Sequence, residues 1–337
     1  MKSQDAEADH SHSEYIITCD LGNNIARLRH ASLKTPKPND PFFKEFQKEI
    51  AHRIESALPK VRVRTINMED LAEEILEKAL EKKSLLKNAA VISTCVEIAA
   101  PRRGHTIEIN RIVDLNGKIL GLGSRPGHPT IDVQIEGILS LAGRQPVVLV
   151  EDGSFTGNTI CYILKKLRER GLTVDAIVLG IGFPKALENI ARVFNGEVHT
   201  VEKFNHLIDW MPDHDFFPFS PNCGRVFGIR LADGEIFPFY TNDGASYCFP
   251  YNSPFGRLTD WASVPKEAVV SLSLFCLSQA IELFQRLEKM NDKRIRIADL
   301  REVKPAVSIP ISVGQRELPR TNTRIIDLLN DACQELS

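Results

Sequence analysis

This sequence of 337 residues lacks the features that mark secreted, zinc-stabilised and membrane proteins. Its seven cysteines are scattered, odd in number and never spaced as Cys-x-x-Cys, which argues against a disulfide framework and against a structural zinc site. No uninterrupted apolar run approaches the roughly twenty residues of a membrane span, and the N-terminus is polar rather than signal-like. These absences predict a cytoplasmic protein with no membrane partner.

An excess of charge of one sign is also lacking. The chain has 42 Lys and Arg against 44 Asp and Glu, so its net charge is −2 and a nucleic-acid partner is not expected. The sequence shows no internal repeat. Its hydrophobic content of 43% is enough to bury one large core or two modest ones. The composition therefore predicts a globular protein with one or two cores.

What the sequence does have is an unusual stretch at 146–159, PVVLVEDGSFTGNT. An apolar run ends at Glu151 and Asp152, a loop of small polar residues follows, and apolar residues then recur at helical spacing. This pattern predicts a buried parallel strand that brings two carboxylates to its C-terminal edge, beside the N-terminus of a helix. Such a terminus attracts phosphate, and carboxylates suit sugar hydroxyls or Mg²⁺. A ribose phosphate fits that combination.

The segment VVLVEDGSFTGNT resembles the ribose-phosphate-binding motif of type I phosphoribosyltransferases. The resemblance implies that Glu151 and Asp152 are catalytic groups that contact the ribose hydroxyls, with Asp152 also a ligand of Mg²⁺. It implies that the 5′-phosphate of phosphoribosyl pyrophosphate (PRPP) is held by the loop residues Gly153, Ser154, Phe155, Thr156, Gly157, Asn158 and Thr159. Family members that act on 6-oxopurines carry an acid where Phe155 stands. Hypoxanthine and guanine are therefore not expected as substrates.

The same pattern also has a purely structural interpretation. A strand that ends in acids before a Gly-containing turn and a helix occurs in many α/β proteins that bind no phosphate. One Ser or Thr is enough to cap a helix, however, whereas here Thr156 and Thr159 bracket Gly157 and Asn158. That excess favours phosphate binding. The segment is not the phosphate loop of nucleotide hydrolases, because no Gly-Lys-Ser/Thr follows.

A second Gly-rich turn, ILGLGSRPGHPT at 119–130, follows a predicted hairpin and leads into a predicted helix. It resembles the pyrophosphate loop of the same family, which implies that the leaving pyrophosphate is held by Ser124, Arg125 and Gly127. The alternative is an ordinary turn with prolines at the helix entry. Only 27 residues separate Ser124 from Glu151. The mobile loop that family members insert there is therefore missing, and its covering role would fall to Arg102, Arg103, His105 and Arg111.

Residues 209–225, DWMPDHDFFPFSPNCGR, combine aromatics, prolines and acids too irregularly for one helix or strand. In the resembled family a segment after the last core strands forms a hood around the base, which implies that Phe216 and Phe217 contact the base. Packing in the core or at an interface is the alternative for these rings. The triplet Asp213-His214-Asp215 could bind a metal, act as an acid–base group or form a surface ion pair.

These patterns predict an α/β fold with a mostly parallel, Rossmann-like sheet of phosphoribosyltransferase type and helices on both faces. Helices are predicted over 40–58, 67–87 and 265–290, and a hairpin over 15–33. We divide the chain into a disordered tail at 1–14, an N-terminal α+β segment at 15–88, a phosphoribosyltransferase-like core at 89–225 and a C-terminal β-plus-helix portion at 226–337. The C-terminal portion would be a second domain, or a lid or dimerisation element in a possible homodimer.

The leading functional hypothesis is an enzyme that transfers a phosphoribosyl group between PRPP and a nitrogenous base, with Mg²⁺. A hypothesis of another class is a non-catalytic sensor that binds PRPP or a nucleotide, which the missing loop and the C-terminal portion favour. A third is an enzyme that uses the same pocket to cleave the glycosidic bond of a nucleotide by phosphorolysis or hydrolysis.

Overall fold

The computed structural model describes residues 13–86, 89–95, 98, 104–204, 206–232 and 234–337. Within these ranges the chain forms an α/β fold with three sheets, two of which are entirely parallel. The predicted fold class with a mostly parallel sheet is therefore confirmed. The predicted tail at 1–14 lies outside the described residues, except that Ser13 and Glu14 open the first strand.

The strands are β1 (Ser13–Cys19), β2 (Val61–Asn67), β3 (Ala90–Ser93), β4 (His105–Thr106), β5 (Ile109–Val113), β6 (Ile119–Ser124), β7 (Val147–Ser154), β8 (Val174–Gly182), β9 (Glu197–Lys203), β10 (Leu207–Pro212), β11 (Arg225–Arg230), β12 (Ile236–Pro238), β13 (Tyr247–Phe249) and β14 (Ile309–Pro310). The α-helices are α1 (Leu21–Ala26), α2 (Pro41–Ala57), α3 (Met68–Leu85), α4 (Ile131–Ala142), α5 (Asn158–Glu169), α6 (Pro184–Ala191), α7 (Leu258–Trp261), α8 (Val269–Asn291) and α9 (Ile325–Leu336). Short 3₁₀ helices lie at Arg27–Ala31, Asp213–Phe216, Lys266–Ala268 and Ile297–Leu300.

A parallel sheet with the strand order β4-β3-β7-β8-β9 places β7 at its centre. Successive side chains of a strand point to opposite faces. Val148 and Val150 accordingly pack with α3, whereas Val147 and Leu149 pack with α4 and α5. Because both faces of the sheet are covered, β7 has a continuous apolar run instead of an alternating pattern.

The other two sheets join parts of the chain that the predicted boundaries separate. β1 pairs with β10 and β2 in a three-stranded parallel sheet. β5 and β6 pair antiparallel and continue through β11 into a mixed sheet with β13 and β14. The predicted segments 15–88, 89–225 and 226–337 therefore share sheets and cores, and elements of all three meet at the carboxyl edge of β7.

The helices predicted over 40–58, 67–87 and 265–290 are confirmed as α2, α3 and α8. The side chains of Asp40 and Asn67 accept hydrogen bonds from first-turn N–H groups and begin α2 and α3. The hairpin predicted over 15–33 is wrong, because β1 is followed by α1. The N–H groups of Asp20 and Leu21 each donate to Asp213 Oδ1 at 2.9 Å, a distant contact that local patterns cannot indicate.

Among the described residues, the helical segment 266–291 is long and apolar enough to cross a membrane by length and composition. That is a weak indication, because the core helix of a soluble protein passes the same test. Here Leu272, Cys276 and Leu283 of α8 are buried in the largest core cluster. They pack there with the aromatic residues of α2.

Candidate functional site

Glu151 and Asp152 lie at the carboxyl end of β7, at the edge of the central sheet where open α/β folds bind ligands. Glu151 is only 7% exposed, and its Oε2 has no hydrogen-bond partner among the described residues. Asp152 is half-buried, and its Oδ1 accepts a hydrogen bond from the Gly153 N–H at 2.9 Å. The two carboxyl groups are thus neighbours at this edge, and one of them retains an unused acceptor.

The environment of Glu151 favours its protonated form. Burial raises the pKa of Glu151 well above its usual value, and the neighbouring Asp152 carboxylate raises it further. The Arg111 guanidinium and hydrogen bonding by Thr94 lower the pKa without cancelling the effect of burial. A buried carboxyl group with an unfilled acceptor and a perturbed pKa is more typical of a functional site than of a core.

The loop after β7 turns into α5 at Gly157, which has a φ of +78°. A Cβ at this position would lie 3.0 Å from the Ala186 carbonyl oxygen, so both conformation and space require glycine. No described side chain caps the N-terminus of this 12-residue helix, although the Asn158 N–H reaches the Thr156 hydroxyl at 3.5 Å. Asn189 Nδ2 holds the loop from behind by donating to Thr156 O at 2.9 Å. This terminus can therefore offer N–H groups to an anion.

The acids and the loop line one cavity of about 370 Å³. Every residue that the sequence predicts for the ribose phosphate, 151 to 159, is on its wall. Elements of all three predicted segments complete the wall, with polar side chains from Thr18, Asp20, Asp209, His214, Asp215, Arg225 and Tyr251. A polar cavity of this size, assembled from three parts of the chain, suits a small molecule.

The second Gly-rich turn reaches this cavity only in part. Arg125 is on the cavity wall, and its Nε lies 3.5 Å from Glu108 Oε2. Ser124 is buried and lines a neighbouring groove beside the loop before α5. Gly127 lies on neither wall and donates its N–H to Tyr240 Oη at 2.9 Å. Gly127 forms part of a turn, with a φ of +84°, and its contact with pyrophosphate stays a prediction.

Phe216 and Phe217, predicted to contact the base, belong to the hydrophobic core. Both rings have 0% exposure. The Phe217 ring packs edge-on against Phe42 and Phe46 of α2, with ring centres 6.5 and 5.4 Å apart. Neither phenylalanine lines the cavity. The prediction of base contact is wrong, and packing in the core, the alternative, is what the structure shows.

An aromatic side chain that does line the cavity is Trp210 of β10. Its ring lies against Gly153, where a Cβ would be 2.8 Å from two ring atoms, and its Nε1 donates to Thr18 Oγ1 at 3.2 Å. Phe155 also lines the cavity and packs edge-on with Phe183 at 4.7 Å between ring centres. These contacts fix an apolar surface beside the two acids.

His214 lines the cavity and is held among carboxylates. Its Nδ1 lies 2.6 Å from Asp20 Oδ1, and its Nε2 lies 3.7 Å from Asp215 Oδ1. Burial alone would lower the pKa of His214, but the carboxylates of Asp20, Asp215 and Asp213 raise it to about 10. The side chain is therefore a partly buried imidazolium in a hydrogen-bonded network. The alternative of a surface ion pair is wrong for this triplet.

Two groups of side chains offer ligand atoms for a divalent cation. Ligand atoms of Asp20, Asp213 and His214 lie within 4.8 Å of one another. This imidazole carries a proton, however, and the Asp213 carboxylate already accepts three hydrogen bonds. Asp152 fits Mg²⁺ better, because it offers carboxylate oxygens on the cavity wall.

Sequence reasoning missed several polar residues of the cavity. Asp209 and Arg225 were not predicted, and Arg111 was considered only as part of a covering segment. They lie on β10, β11 and β5, which belong to two sheets other than the one that carries the acids. One usable signal was present, since Arg225 stands as a charge directly before the apolar residues of β11.

No family model matches this sequence, and no curated protein is detectably similar to it. Among solved structures, adenine phosphoribosyltransferase from Thermoanaerobacter pseudethanolicus ATCC 33223 is similar to part of the chain. The alignment covers 39% of this chain and 79% of that enzyme, with 17% identity and a TM-score of 0.29. At these values the similarity is distant and concerns the α/β fold alone.

Proposed function

We propose that this protein transfers a phosphoribosyl group between PRPP and a nitrogenous acceptor, with Mg²⁺, in the cavity at the end of β7. The observation that carries the proposal is that the Glu151–Asp152 pair and the N-terminus of α5 line the same cavity. A ribose 5-phosphate presents hydroxyl groups at one end and a phosphate at the other. The two halves of this site are complementary to those two ends.

The phosphate end of the ligand would lie at the loop before α5. Backbone N–H groups at a helix N-terminus donate to phosphate oxygens, and the helix dipole favours their negative charge. Thr156, Asn158 and Thr159 line the cavity there and add hydroxyl and amide donors. Gly157 lets the backbone turn without placing a Cβ against Ala186.

The ribose end would lie against Glu151 and Asp152. The unpartnered Glu151 Oε2 is an acceptor for a ribose hydroxyl, and binding would supply the hydrogen bond that it lacks. In the reaction, the bond from C1′ to the pyrophosphate oxygen breaks, a bond from C1′ to the acceptor nitrogen forms, and the acceptor loses a proton. The ribose becomes cationic between these events. Carboxylates fixed beside it stabilise that charge.

The pyrophosphate end needs positive charge. Asp152 would hold Mg²⁺, which when bound would neutralise charge on the phosphate oxygens and on the departing group. Arg125 on the cavity wall adds a fixed cation. Glu151 and Asp152 would orient the sugar, and Arg125 would keep the leaving group in place.

The direct test is turnover. The purified protein would be given PRPP, Mg²⁺ and a panel of nitrogenous bases, and pyrophosphate release would be followed. Asp152→Asn keeps the shape of the side chain and should lower turnover on the order of 10²-fold, as loss of another preorganised electrostatic group does. Glu169→Gln, at the exposed far end of α5, is the matched control. An unchanged rate in Asp152→Asn would overturn the mechanism.

One observation favours the non-catalytic alternative, a sensor of PRPP or a nucleotide. α4 accounts for most of the connection between Ser124 and the start of β7, and no inserted loop covers the cavity from there within the described ranges. A sensor would bind PRPP at the same residues without releasing pyrophosphate.

Cleavage of a nucleotide that accelerates with inorganic phosphate, or needs only water, would instead identify a phosphorolytic or hydrolytic enzyme.

A further inference from the structure

Arg225, the first residue of β11, lines the cavity and is only 7% exposed. Its guanidinium carbon lies 4.4 Å from the centre of the Trp261 ring and 5.4 Å from that of Tyr251. Its Nε donates to Tyr251 Oη at 3.4 Å. Among the described residues it forms no salt bridge. Burying a charge without a close partner is costly, so this arginine calls for a ligand.

The free donors of Arg225 point to the kind of ligand. Its two terminal nitrogens have no hydrogen-bond partner in the described part of the chain, and they are not sealed off by protein. They therefore face the cavity that Arg225 lines. The aromatic neighbours hold the planar guanidinium, which leaves a two-pronged donor edge. Such an edge matches the two oxygens of a carboxylate or of a phosphate group.

A second arginine, Arg111, lies on the strand next to Arg225, because Ile112 of β5 pairs with Val226 of β11. Arg111 lines the same cavity and makes no salt bridge with any described residue. Its charge lowers the pKa of Glu151 on one side and, together with Arg225, lowers that of Asp209 on the other. The part of the cavity around Arg225 is thus continuous with the ribose site and adjoins it.

Carboxylates near Arg225 limit how much negative charge a ligand can carry there. Asp209 and Asp215 both lie close enough for Arg225 to lower their pKa values, although burial, the larger effect, raises both. Their oxygens already accept hydrogen bonds from Ser263 and from the Gly224 N–H. They oppose a multiply charged pyrophosphate and tolerate a single negative charge held by Arg225. A carboxylate meets this requirement.

We infer that the acceptor is a planar nitrogenous compound with a carboxylate group, and that Arg225 binds that carboxylate through both terminal nitrogens. This inference rests on the proposed function, because it assigns the acceptor end of the same cavity. Arg225 acts as a specificity-determining residue. Asp209 and Trp210 line the same cavity and would border the rest of the acceptor.

The experiment uses matched acid and amide probes. Calorimetry would compare benzoate with benzamide and nicotinate with nicotinamide, each titrated into the full chain with and without PRPP and Mg²⁺. We expect at least one acid to bind about 10- to 100-fold tighter than its uncharged partner. Arg225→Gln should remove that preference. Arg62→Gln, an exposed arginine of β2 outside the cavity, should retain it.

Each outcome decides the inference. If neither acid is preferred by the wild-type protein, the inference is overturned without reference to any variant. If Arg225→Gln weakens PRPP binding and leaves the preference for the acid intact, Arg225 contacts PRPP. Its assignment to the acceptor is then wrong. If Arg225→Gln folds poorly, Arg225→Lys is measured in its place. Lysine keeps the positive charge but lacks the two-pronged donor edge of arginine, so this variant should retain only part of the preference for the acid. Failure of PRPP to bind would overturn the proposed function. The preference for the acid over the amide is measured separately, in the titrations without PRPP.

Discussion

The indole ring of Trp210 lies directly against Gly153, so that a Cβ on this glycine would be 2.8 Å from two ring atoms. Gly153 belongs to β7 of the central sheet, and Trp210 belongs to β10 of the three-stranded sheet. This contact joins the two sheets at the point where Glu151 and Asp152 enter the cavity. The glycine between the acids and the phosphate loop is therefore required by packing.

Replacing Gly153 by alanine should destabilise the fold. The added methyl group overlaps Trp210 and also approaches Ile181, so we expect a loss of about 1 to 3 kcal/mol in the free energy of unfolding. Gly137→Ala is the control, because no atom lies within 4 Å of a Cβ there and alanine favours the interior of α4. Urea unfolding of both variants measures the difference. Equal stabilities would contradict the described contact.

The side chain of Glu151 should lower the stability of the folded protein as the pH rises out of the acidic range. Its pKa is raised in the folded protein, so the folded state retains a proton that the unfolded state has released. The contribution of Glu151 to the stability of the folded state is therefore complete below about pH 4.5. It is lost as the pH rises toward the pKa of Glu151 in the folded protein. Glu151→Gln should have a higher melting temperature than wild type near neutral pH, and the same melting temperature near pH 4. A Glu151→Gln variant that is less stable at pH 7 would contradict this account.

His214 should stay protonated well above neutral pH. Asp20 and its neighbours raise the pKa of the imidazole to about 10, so its contribution to stability is complete below pH 6.5 and is lost as pH rises through about 10. NMR titration of the ring measures this directly. His214→Asn leaves Asp20 without its close partner and should cost about 3 to 5 kcal/mol. His206→Asn, at an exposed position, should cost little. An NMR titration of His214 near pH 6.5 would refute the buried pair.

Phe217 should matter for folding and not for ligand binding. Phe217→Ala removes a fully buried ring that packs against Phe42 and Phe46, and we expect a cost of about 3 to 5 kcal/mol. Phe217→Leu is the milder variant for binding measurements. Its affinity for the acceptor probes should equal that of wild type, because the ring does not reach the cavity. Selective loss of ligand affinity in a stable Phe217→Leu protein would restore the base-binding interpretation.

The parts of the fold that depend on local sequence were predictable. Asp40 and Asn67 begin α2 and α3 as side-chain caps, and the apolar run of β7 reflects burial on both faces. The hairpin predicted over 15–33 failed because β1 pairs in parallel with β10, whose residues are distant in sequence. Parallel pairing leaves no turn signal between the partners. Local patterns therefore could not identify it.

The site also has residues that the sequence predicted and residues that it did not. Residues 151–159 are contiguous, so one motif predicts them as a group, and the structure places all of them on one cavity. Asp209 and Arg225 reach that cavity from other sheets, and no spacing along the chain relates them to Glu151. Phe216 and Phe217 illustrate the reverse error. An aromatic-rich segment has the same composition whether its rings enter a core or line a pocket.

A ribose-phosphate site at the carboxyl end of β7 is tested by calorimetric titration of PRPP with Mg²⁺ into the wild-type protein and the Glu151→Gln/Asp152→Asn double variant. We expect micromolar binding to wild type and to Glu169→Gln, and no detectable binding to the double variant. Absence of binding to wild type, or equal binding to the double variant, would contradict a ribose-phosphate site at the carboxyl end of β7.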